Sequence, residues 1–254
     1  MGWKSWASSM LGKLLHVTNQ VCLLCRQPSD TLELDGLCTA CYGRIPWIMQ
    51  VRCEVCGRAE ACPDCQRRRQ GKLHFVCSRS AVSYDENMKA LLARYKYRGD
   101  ERLAGVIGQM LCHAYRLHQT GKGSKGEHQK TIKLISFVPV SELRLAERGF
   151  NQAEQMAVVL GNREGLPVVP LLRRVKHTDK QSFKGRHARI GDLRDVFELN
   201  EQAAVRLMSD CSDPGVLTIY LVDDVYTTGS TMNQCAGVLQ TRLNAVVYGL
   251  TWAR

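Results

Sequence analysis

The amino-acid sequence predicts an α/β fold, in which helices flank a parallel β-sheet and a small cysteine-rich module precedes the sheet. Two observations carry this prediction. In the C-terminal two-thirds of the 254-residue chain, short apolar runs alternate with segments of helical periodicity. In the N-terminal third, eight of the twelve cysteines fall into four Cys-x-x-Cys pairs. The chain therefore combines two regions of different character.

The alternating pattern begins after a polar stretch, rich in Gly and Lys, at residues 118–130. Strands separated by helices predict parallel pairing, because a helical crossover returns the chain to the same end of the sheet. Residues 81–118 upstream are predicted to be helical, with Ser83 and Glu86 as a capping box. The predicted strands are 132–140, 217–225 and 245–252, and the predicted helices between them are 151–161 and 230–242.

The chain is predicted to have three parts: an N-terminal segment (1–20), a cysteine-rich module (21–78) and the α/β domain (79–254). Residues 1–17 lack the apolar core and cleavage site of a secretory signal, and no apolar run approaches the roughly 20 residues that span a bilayer. We therefore expect a cytoplasmic protein. A peripheral membrane contact of the amphipathic N-terminal segment stays open, as do a helix packed on the domain and a frayed end.

The net charge of the chain is +11, and the sequence pI is about 9.2. Such a basic chain is expected to have an anionic partner, either nucleic acid or a small phosphorylated ligand. Charge alone does not choose between these two classes.

The first four cysteines, Cys22, Cys25, Cys38 and Cys41, form two Cys-x-x-Cys pairs that are twelve residues apart. Two such pairs can close a tetrahedral Zn²⁺ site. An iron–sulfur cluster is the alternative for four thiolates. Because an all-thiolate zinc has no open coordination position, we expect its role to be structural.

The next four cysteines, Cys53, Cys56, Cys62 and Cys65, repeat the pattern with five residues between the pairs. They are predicted to bind a second Zn²⁺ or to share ligands crosswise with the first set, since spacing does not decide the pairing. The remaining four cysteines are predicted to be small buried side chains: Cys77, Cys112, Cys211 and Cys235.

A hydroxyl-rich loop follows the apolar run at residues 217–225, which ends in Asp223 and Asp224. Backbone N–H groups at a helix N-terminus attract phosphate, and hydroxyl groups add hydrogen-bond donors. Two carboxylates can accept hydrogen bonds from ribose hydroxyls and help to hold Mg²⁺. The alternative is an ordinary helix cap. The predicted loop residues are Thr227, Thr228, Gly229, Ser230 and Thr231.

The complete string resembles the phosphoribosyl pyrophosphate motif of type I phosphoribosyltransferases, in which two acids precede a Thr-Thr-Gly-x-Thr loop. Together with the blocks KYRGD (residues 96–100) and RGFNQ (148–152), it makes the chain similar to the ComF family from Cys22 onward. The resemblance implies a type I phosphoribosyltransferase-like domain. It also implies that Arg148 and Gly149 face the pyrophosphate side of the ligand. A plain ion pair of Arg148 with a surface acid is the alternative.

Cations dominate the segment from Arg173 to Arg189, which has no apolar periodicity and contains Asp179 as its one acid. Such a segment is typical of an exposed loop, which could contact nucleic-acid phosphates, close over the ligand or simply be solvated. Gln181 matches a family position, as do Arg186, Arg189 and Phe197, whereas Asp192 stands where family members carry Asn. The predicted nucleic-acid-binding residues are Arg173, Arg174, Lys176, Lys180, Lys184, Arg186 and Arg189.

Two functions follow from the resemblance. The first is a competence-type DNA uptake protein that handles single-stranded DNA in the cytoplasm during natural transformation and carries a phosphoribosyl-pyrophosphate-binding domain. Its expected partners are single-stranded DNA, Mg²⁺ with phosphoribosyl pyrophosphate, and DNA-uptake proteins at the inner membrane face. The alternative is a Mg²⁺-dependent phosphoribosyltransferase with an unidentified acceptor. No catalytic residue is assigned, and fold alone does not establish a reaction.

Overall fold

The computed structural model describes residues 20–67, 72–120, 131–175, 196–209 and 215–254. The chain divides into two compact units, of which the first ends at Ile45 and the second begins at Pro46. The boundary at residue 78 that the sequence suggests stays a prediction. None of the described helices is long and apolar enough to cross a membrane.

The described part of the first unit contains very little regular structure. Strands β1 (Gln20–Val21) and β2 (Pro28–Ser29) pair antiparallel, and the short helix α1 covers Thr39–Tyr42. Its buried apolar side chains are few, with Leu37 fully enclosed. So small an apolar core stabilises a fold weakly, and units of this size usually need a metal or another crosslink.

The second unit is built on a four-stranded parallel sheet with the strand order β3-β8-β7-β4. Its central strands are almost entirely buried, as expected for a parallel sheet that is covered on its faces. The strands are β3 (Ser78–Val82), β4 (Thr131–Phe137), β7 (Val216–Val225) and β8 (Val246–Ala253). The predicted α/β class, with a parallel sheet flanked by helices, is confirmed.

Helices α4 (Leu103–Thr120) and α6 (Gln152–Glu164) pack on each other and against the sheet, while α8 (Ser230–Leu243) packs against β7 and β8. Each of the three has buried apolar positions at helical spacing. Two further helices, α3 (Glu86–Tyr97) and α5 (Glu142–Arg148), lead towards the carboxyl ends of the strands.

Several short elements were not predicted from the sequence. Strands β5 (Leu172–Arg174) and β6 (Phe197–Leu199) form an antiparallel pair, and they are followed by α7 (Glu201–Ser209). Helix α2 (Pro63–Arg67) lies within the second cysteine set. These elements have three to nine residues, which is too short for a clear periodicity.

Two predicted helix ends were wrong. Asp85 rather than Ser83 caps α3, because Asp85 is extended and its carboxylate accepts a hydrogen bond from the Met88 N–H at 2.8 Å. Residues 81 and 82 belong to β3, so the region predicted as helical begins with a strand. Helix α6 continues past Gly161 to Glu164, because Gly165, with φ of 67°, is the residue in the left-handed conformation that ends it.

Candidate functional site

Asp223 and Asp224 lie at the carboxyl end of β7, where ligands of parallel sheets bind. The Asp224 N–H donates to Asp223 Oδ1 at 2.8 Å, and the Asp224 carboxylate forms an ion pair with Lys96 of α3. Burial and the neighbouring Asp224 carboxylate raise the pKa of Asp223 to about 7. Both carboxyl groups could serve as ligands of a divalent cation.

The loop after these acids leads directly into α8. Gly229 is the N-cap residue of α8 with φ of 76° and has no side chain to cap the helix, while the Ser230 N–H donates to Thr228 Oγ1 at 3.4 Å. The N–H groups of Thr227, Thr228 and Gly229 donate to no other described residue. Donors of this kind at a helix N-terminus can bind an anion. The hydroxyl-rich residues Thr227, Thr228, Gly229, Ser230 and Thr231 therefore lie at the start of α8, as predicted.

Gly229 also has a steric requirement. A Cβ atom at this position would lie 2.1 Å from the Tyr226 hydroxyl oxygen, so the Tyr226 side chain occupies the space beside Gly229. The Thr228 and Ser230 hydroxyl oxygens are 3.0 Å apart. Both residues are exposed, so their hydroxyl groups are accessible to a ligand.

Arg148 is the last residue of α5, and Gly149 ends that helix in the left-handed conformation with φ of 80°. The Arg148 guanidinium donates to Gln152 Oε1 at 3.0 Å and to the Tyr97 hydroxyl at 3.2 Å. It also lies 4.9 Å from the centroid of the Tyr97 ring. These contacts are with neutral groups, so Arg148 keeps its positive charge available for an anion.

The other residues of the RGFNQ block shape the turn between α5 and α6. Asn151 caps α6 by accepting from the Ala153 N–H at 3.0 Å, and its amide donates to the Val138 carbonyl at 3.1 Å. The Phe150 ring packs on the Tyr95 ring, with centroids 5.2 Å apart. The block thus fixes where Arg148 lies relative to the end of β4.

The three sequence blocks meet at one edge of the sheet. Lys96 of the KYRGD block contacts Asp224, and Tyr97 of the same block contacts Arg148. In that block Asp100 pairs with Arg94 at 2.8 Å, which helps to fix the end of α3. The arrangement brings together cationic, carboxylate and free N–H groups within one site.

In the first unit, the thiols of Cys22, Cys25, Cys38 and Cys41 have sulfur atoms that all lie within 4.8 Å of one another. The Cys25 and Cys38 sulfurs are 3.8 Å apart. Four sulfurs at Zn–S distances of about 2.3 Å in a tetrahedron would be about 3.8 Å apart, so this set fits Zn²⁺.

In the second unit, Cys53, Cys56, Cys62 and Cys65 form another set with sulfur atoms within 4.8 Å of one another. Each set therefore contains four thiols from its own two Cys-x-x-Cys pairs, as in two metal sites. The second set is attached to the sheet: the Ser78 N–H of β3 donates to the Val55 carbonyl at 2.7 Å.

Gly57 and Arg79 tighten this attachment. A Cβ atom on Gly57, whose φ is 74°, would lie 2.6 Å from the Ser78 carbonyl oxygen, so only glycine allows the close approach to β3. The buried Arg79 side chain of β3 donates to the Glu54 carbonyl at 2.9 Å and pairs with the Glu54 carboxylate at 3.1 Å. The second cysteine set is thus part of the α/β unit.

Arg254 links the second cysteine set to the loop before α8. Its guanidinium donates to Cys62 Sγ at 3.3 Å and to the Tyr226 carbonyl at 3.0 Å, and it also donates to the Thr227 carbonyl. Burial of the Cys62 thiol opposes its ionisation, but hydrogen bonds from the Cys65 N–H, from neighbouring thiols and from Arg254 lower its pKa to about 6.

The predicted nucleic-acid-binding residues are only partly described. Arg173 of β5 pairs with Glu198 at 2.7 Å, and the Arg174 guanidinium lies 5.6 Å from the centroid of the Phe197 ring. Lys176, Lys180, Lys184, Arg186 and Arg189 lie outside the described residues, as do Gln181 and Asp192.

Of the four cysteines outside the Cys-x-x-Cys pairs, Cys112 and Cys235 are buried, whereas Cys77 is half-buried and Cys211 lies outside the described residues. Burial raises the pKa of Cys112 to about 11. This is the behaviour of small apolar side chains.

Three residues of the site were not singled out by the sequence analysis: Lys96, Gln152 and Arg254. Lys96 and Gln152 belong to blocks that carried the family resemblance, so their presence there was the available signal. Arg254 lies in no motif, and nothing in the sequence pattern indicates its contacts.

Sequence comparison places the chain among known proteins. It is 29% identical over 213 residues to competence protein ComFC of Bacillus subtilis (strain 168), covering 81% of this chain and 78% of that protein. It is 28% identical to competence protein ComFC of Streptococcus pneumoniae (strain ATCC BAA-255 / R6), covering 86% of this chain and 93% of that protein. Competence protein F of Haemophilus influenzae (strain ATCC 51907 / DSM 11121 / KW20 / Rd) is 27% identical to it, covering 89% of this chain and 93% of that protein.

The predicted resemblance of the chain to the ComF family is confirmed by these relatives. The chain matches them over most of their own length. No protein-family model matches the sequence. Among solved structures, the allosteric regulatory enzyme of purine biosynthesis superposes with a TM-score of 0.30 at 11% identity, covering 57% of this chain and 24% of that chain.

Proposed function

We propose that this ComF-family protein binds phosphoribosyl pyrophosphate with Mg²⁺ at the carboxyl end of its sheet. The observation that carries the proposal is the meeting of three separate sequence blocks at this edge, through the Lys96–Asp224 ion pair and the contact of Arg148 with Tyr97. Cap formation alone would not require this convergence.

Each group has a distinct role in the proposal. The N–H groups of residues 227–229 and the hydroxyl groups around them bind the 5-phosphate. Asp223 and Asp224 accept hydrogen bonds from the ribose hydroxyls and hold hydrated Mg²⁺, which when bound neutralises charge on the diphosphate. Arg148 lies on the pyrophosphate side and adds charge-assisted hydrogen bonds.

We further propose that the protein handles single-stranded DNA in the cytoplasm during natural transformation, in contact with DNA-uptake proteins at the inner membrane face. Support comes from the relatives, which are named as competence proteins in three bacteria, and from the net charge of +11. The basic segment 173–189 supplies the phosphate contacts in this proposal. Arg173 and Arg174 already have protein partners, so the other five cations are the primary candidates.

The test of the DNA proposal neutralises Lys180, Lys184, Arg186 and Arg189 together to Gln. Each phosphate contact releases about one counterion, so the slope of log affinity against log salt should fall by about one for each contact that is lost. Fluorescence anisotropy with a labelled single-stranded oligonucleotide measures this slope. Replacing four exposed residues elsewhere, Arg102, Arg116, Arg206 and Arg242, provides a control of equal net charge. An unchanged slope would remove the segment from the DNA proposal.

The second candidate function is a Mg²⁺-dependent phosphoribosyltransferase. The observation that favours it is that the site contains both the acids Asp223 and Asp224 and the cation Arg148. This reaction depends mainly on stabilising the leaving pyrophosphate, and a cation contributes to that. Release of pyrophosphate from phosphoribosyl pyrophosphate, assayed with and without nucleobases or single-stranded DNA, tests it. No release above that of an Asp223→Asn control would leave binding as the function of the site.

A further inference from the structure

Arg254 connects the second cysteine set to the loop at residues 226–229 before α8, which we call the phosphate loop. Its guanidinium hydrogen-bonds to the Cys62 sulfur on one side and to the carbonyls of Tyr226 and Thr227 on the other. The guanidinium carbon is also 4.7 Å from the centroid of the Tyr226 ring. One side chain thereby touches a thiol of the metal set and the residues that open the loop.

The backbone of Arg254 is fixed as well. Its N–H donates to the Val82 carbonyl at 3.0 Å, and its carbonyl accepts from the Tyr84 N–H at 2.9 Å. These bonds continue the pairing of β8 with β3 beyond the end of the strands. The guanidinium therefore extends from a backbone that is held at both its N–H and its carbonyl oxygen.

The hydrogen bonds to the loop carbonyls determine which way the loop peptides point. When the carbonyls of Tyr226 and Thr227 point at Arg254, the N–H groups of the following residues, Thr227 and Thr228, point away from it. Those are among the N–H groups that have no partner among the described residues. Peptide groups that are already oriented bind an anion without a further ordering cost.

A metal ion held by this set would give the Arg254 guanidinium an anionic partner. A Zn²⁺ ion with four thiolates has a formal charge of about −2, and hydrogen bonds from outer groups to the sulfurs orient such sites. In the described part of the chain, Arg254 donates a hydrogen bond to this set, through Cys62.

We propose that Arg254 is a positioning residue that couples the metal site formed by Cys53, Cys56, Cys62 and Cys65 to the phosphate loop. Metal at this site holds the guanidinium, and the guanidinium orients the loop peptides for the phosphate. This inference rests on the proposed function, because it assigns phosphate binding to that loop.

The test compares Arg254→Gln and Arg254→Lys with the control Arg242→Gln, which removes one positive charge from an exposed position of α8. The eight cysteines of the two sets remain in each variant, and metal analysis checks that two equivalents of zinc are retained. Calorimetry measures the affinity for phosphoribosyl pyrophosphate. Hydrogen–deuterium exchange of the peptide 225–234 measures loop order without ligand. The absorption of Co²⁺-substituted protein reports on the sulfur that Arg254 contacts.

We expect Arg254→Gln to weaken phosphoribosyl pyrophosphate binding about tenfold, to speed exchange in the loop peptide and to shift the cobalt–thiolate absorption. Arg254→Lys should restore little, because an ammonium group cannot bridge the sulfur and both carbonyls. Arg242→Gln should resemble the unmodified protein. The coupling would be overturned if Arg254→Lys restored the full ligand affinity. It would also be overturned if Arg254→Gln showed the same loop exchange and the same cobalt–thiolate absorption as the control.

If the unmodified protein does not bind phosphoribosyl pyrophosphate, the proposed function fails by itself. The exchange and cobalt measurements then still decide the coupling. If the ligand binds and Arg254→Gln binds it equally well, the coupling fails and the proposed function stands.

Discussion

Each of the two cysteine sets contains four thiols from two Cys-x-x-Cys pairs, yet the surroundings of the two sets differ. In the first set Cys25 is exposed, and the unit around it has two-residue strands and a four-residue helix. In the second set Cys56 and Cys62 are buried in the same apolar cluster as Tyr226 and residues of α8. Both sets consist of two Cys-x-x-Cys pairs, but only the second set is part of the α/β core.

This comparison shows that a metal-ligand pattern does not define what the metal stabilises. In the first set, the metal would replace an apolar core that the small unit lacks. In the second set, the metal would hold together the two Cys-x-x-Cys pairs, which contact the edge strand β3 directly and the loop before α8 through Arg254. The predictions that follow test this difference, beginning with the largest effect.

The largest expected difference concerns stability. Cys62→Ser should lower the free energy of unfolding of the α/β unit by about 3–5 kcal/mol, because it removes a metal ligand that is buried in the core. Cys25→Ser should change that value by less than about 1 kcal/mol. Urea unfolding followed by tryptophan fluorescence, to which the fully buried Trp252 contributes, measures both. Each variant should retain about one equivalent of zinc. Equal destabilisation by the two variants would contradict the comparison.

Substitution of the acids at the end of β7 should weaken ligand binding much more than it lowers the stability of the fold. Changing Asp223 and Asp224 to Asn should weaken phosphoribosyl pyrophosphate binding about 100-fold, or about 2.7 kcal/mol, because the Mg²⁺ and ribose contacts are lost. The melting temperature should change little, since Asp223 already carries a raised pKa. Glu198→Gln, at an exposed acid that pairs with Arg173, is the control. A large stability loss with unchanged binding would show that the pair is structural.

Arg148 gives a smaller expected effect on binding. Arg148→Ala should weaken pyrophosphate binding about 20-fold, because charge-assisted hydrogen bonds contribute about 1.5–3 kcal/mol. Arg144→Ala, at an exposed position on the same helix, should leave the affinity unchanged. Calorimetric titration with pyrophosphate and Mg²⁺ provides the measurement. Equal affinities of the two variants would assign Arg148 to the turn between α5 and α6 alone.

The smallest effect is expected at Gly229, which is compared with Gly165. Both glycines have positive φ, 76° and 67°, so alanine strains either backbone by about 1 kcal/mol. Space is open around Gly165, whereas a Cβ at Gly229 would displace Tyr226. We expect Gly229→Ala to cost about 1 kcal/mol more than Gly165→Ala and to weaken phosphoribosyl pyrophosphate binding, which Gly165→Ala should not. Thermal unfolding and calorimetry measure the two effects.

The sequence predicted strands β4, β7 and β8 correctly because each is a buried apolar run of clear length. Strand β3 was missed because its five residues, SRSAV, include Arg79 and two serines, although every one is buried. Its burial depends on β8 and on the second cysteine set, which no local pattern describes.

By itself, the sequence determined the four Cys-x-x-Cys pairs, the order of strands β4, β7 and β8 with the helices between them, and the acids and hydroxyl-rich loop at the end of β7. These are local patterns, since the residues of each lie close together along the chain. The tertiary structure alone decided which distant groups complete the site. Arg148 and Tyr97 are 51 residues apart, and Arg254 and Cys62 are 192 residues apart. Such pairs form only when the sheet brings strand ends together, because parallel strands place their carboxyl ends at one edge.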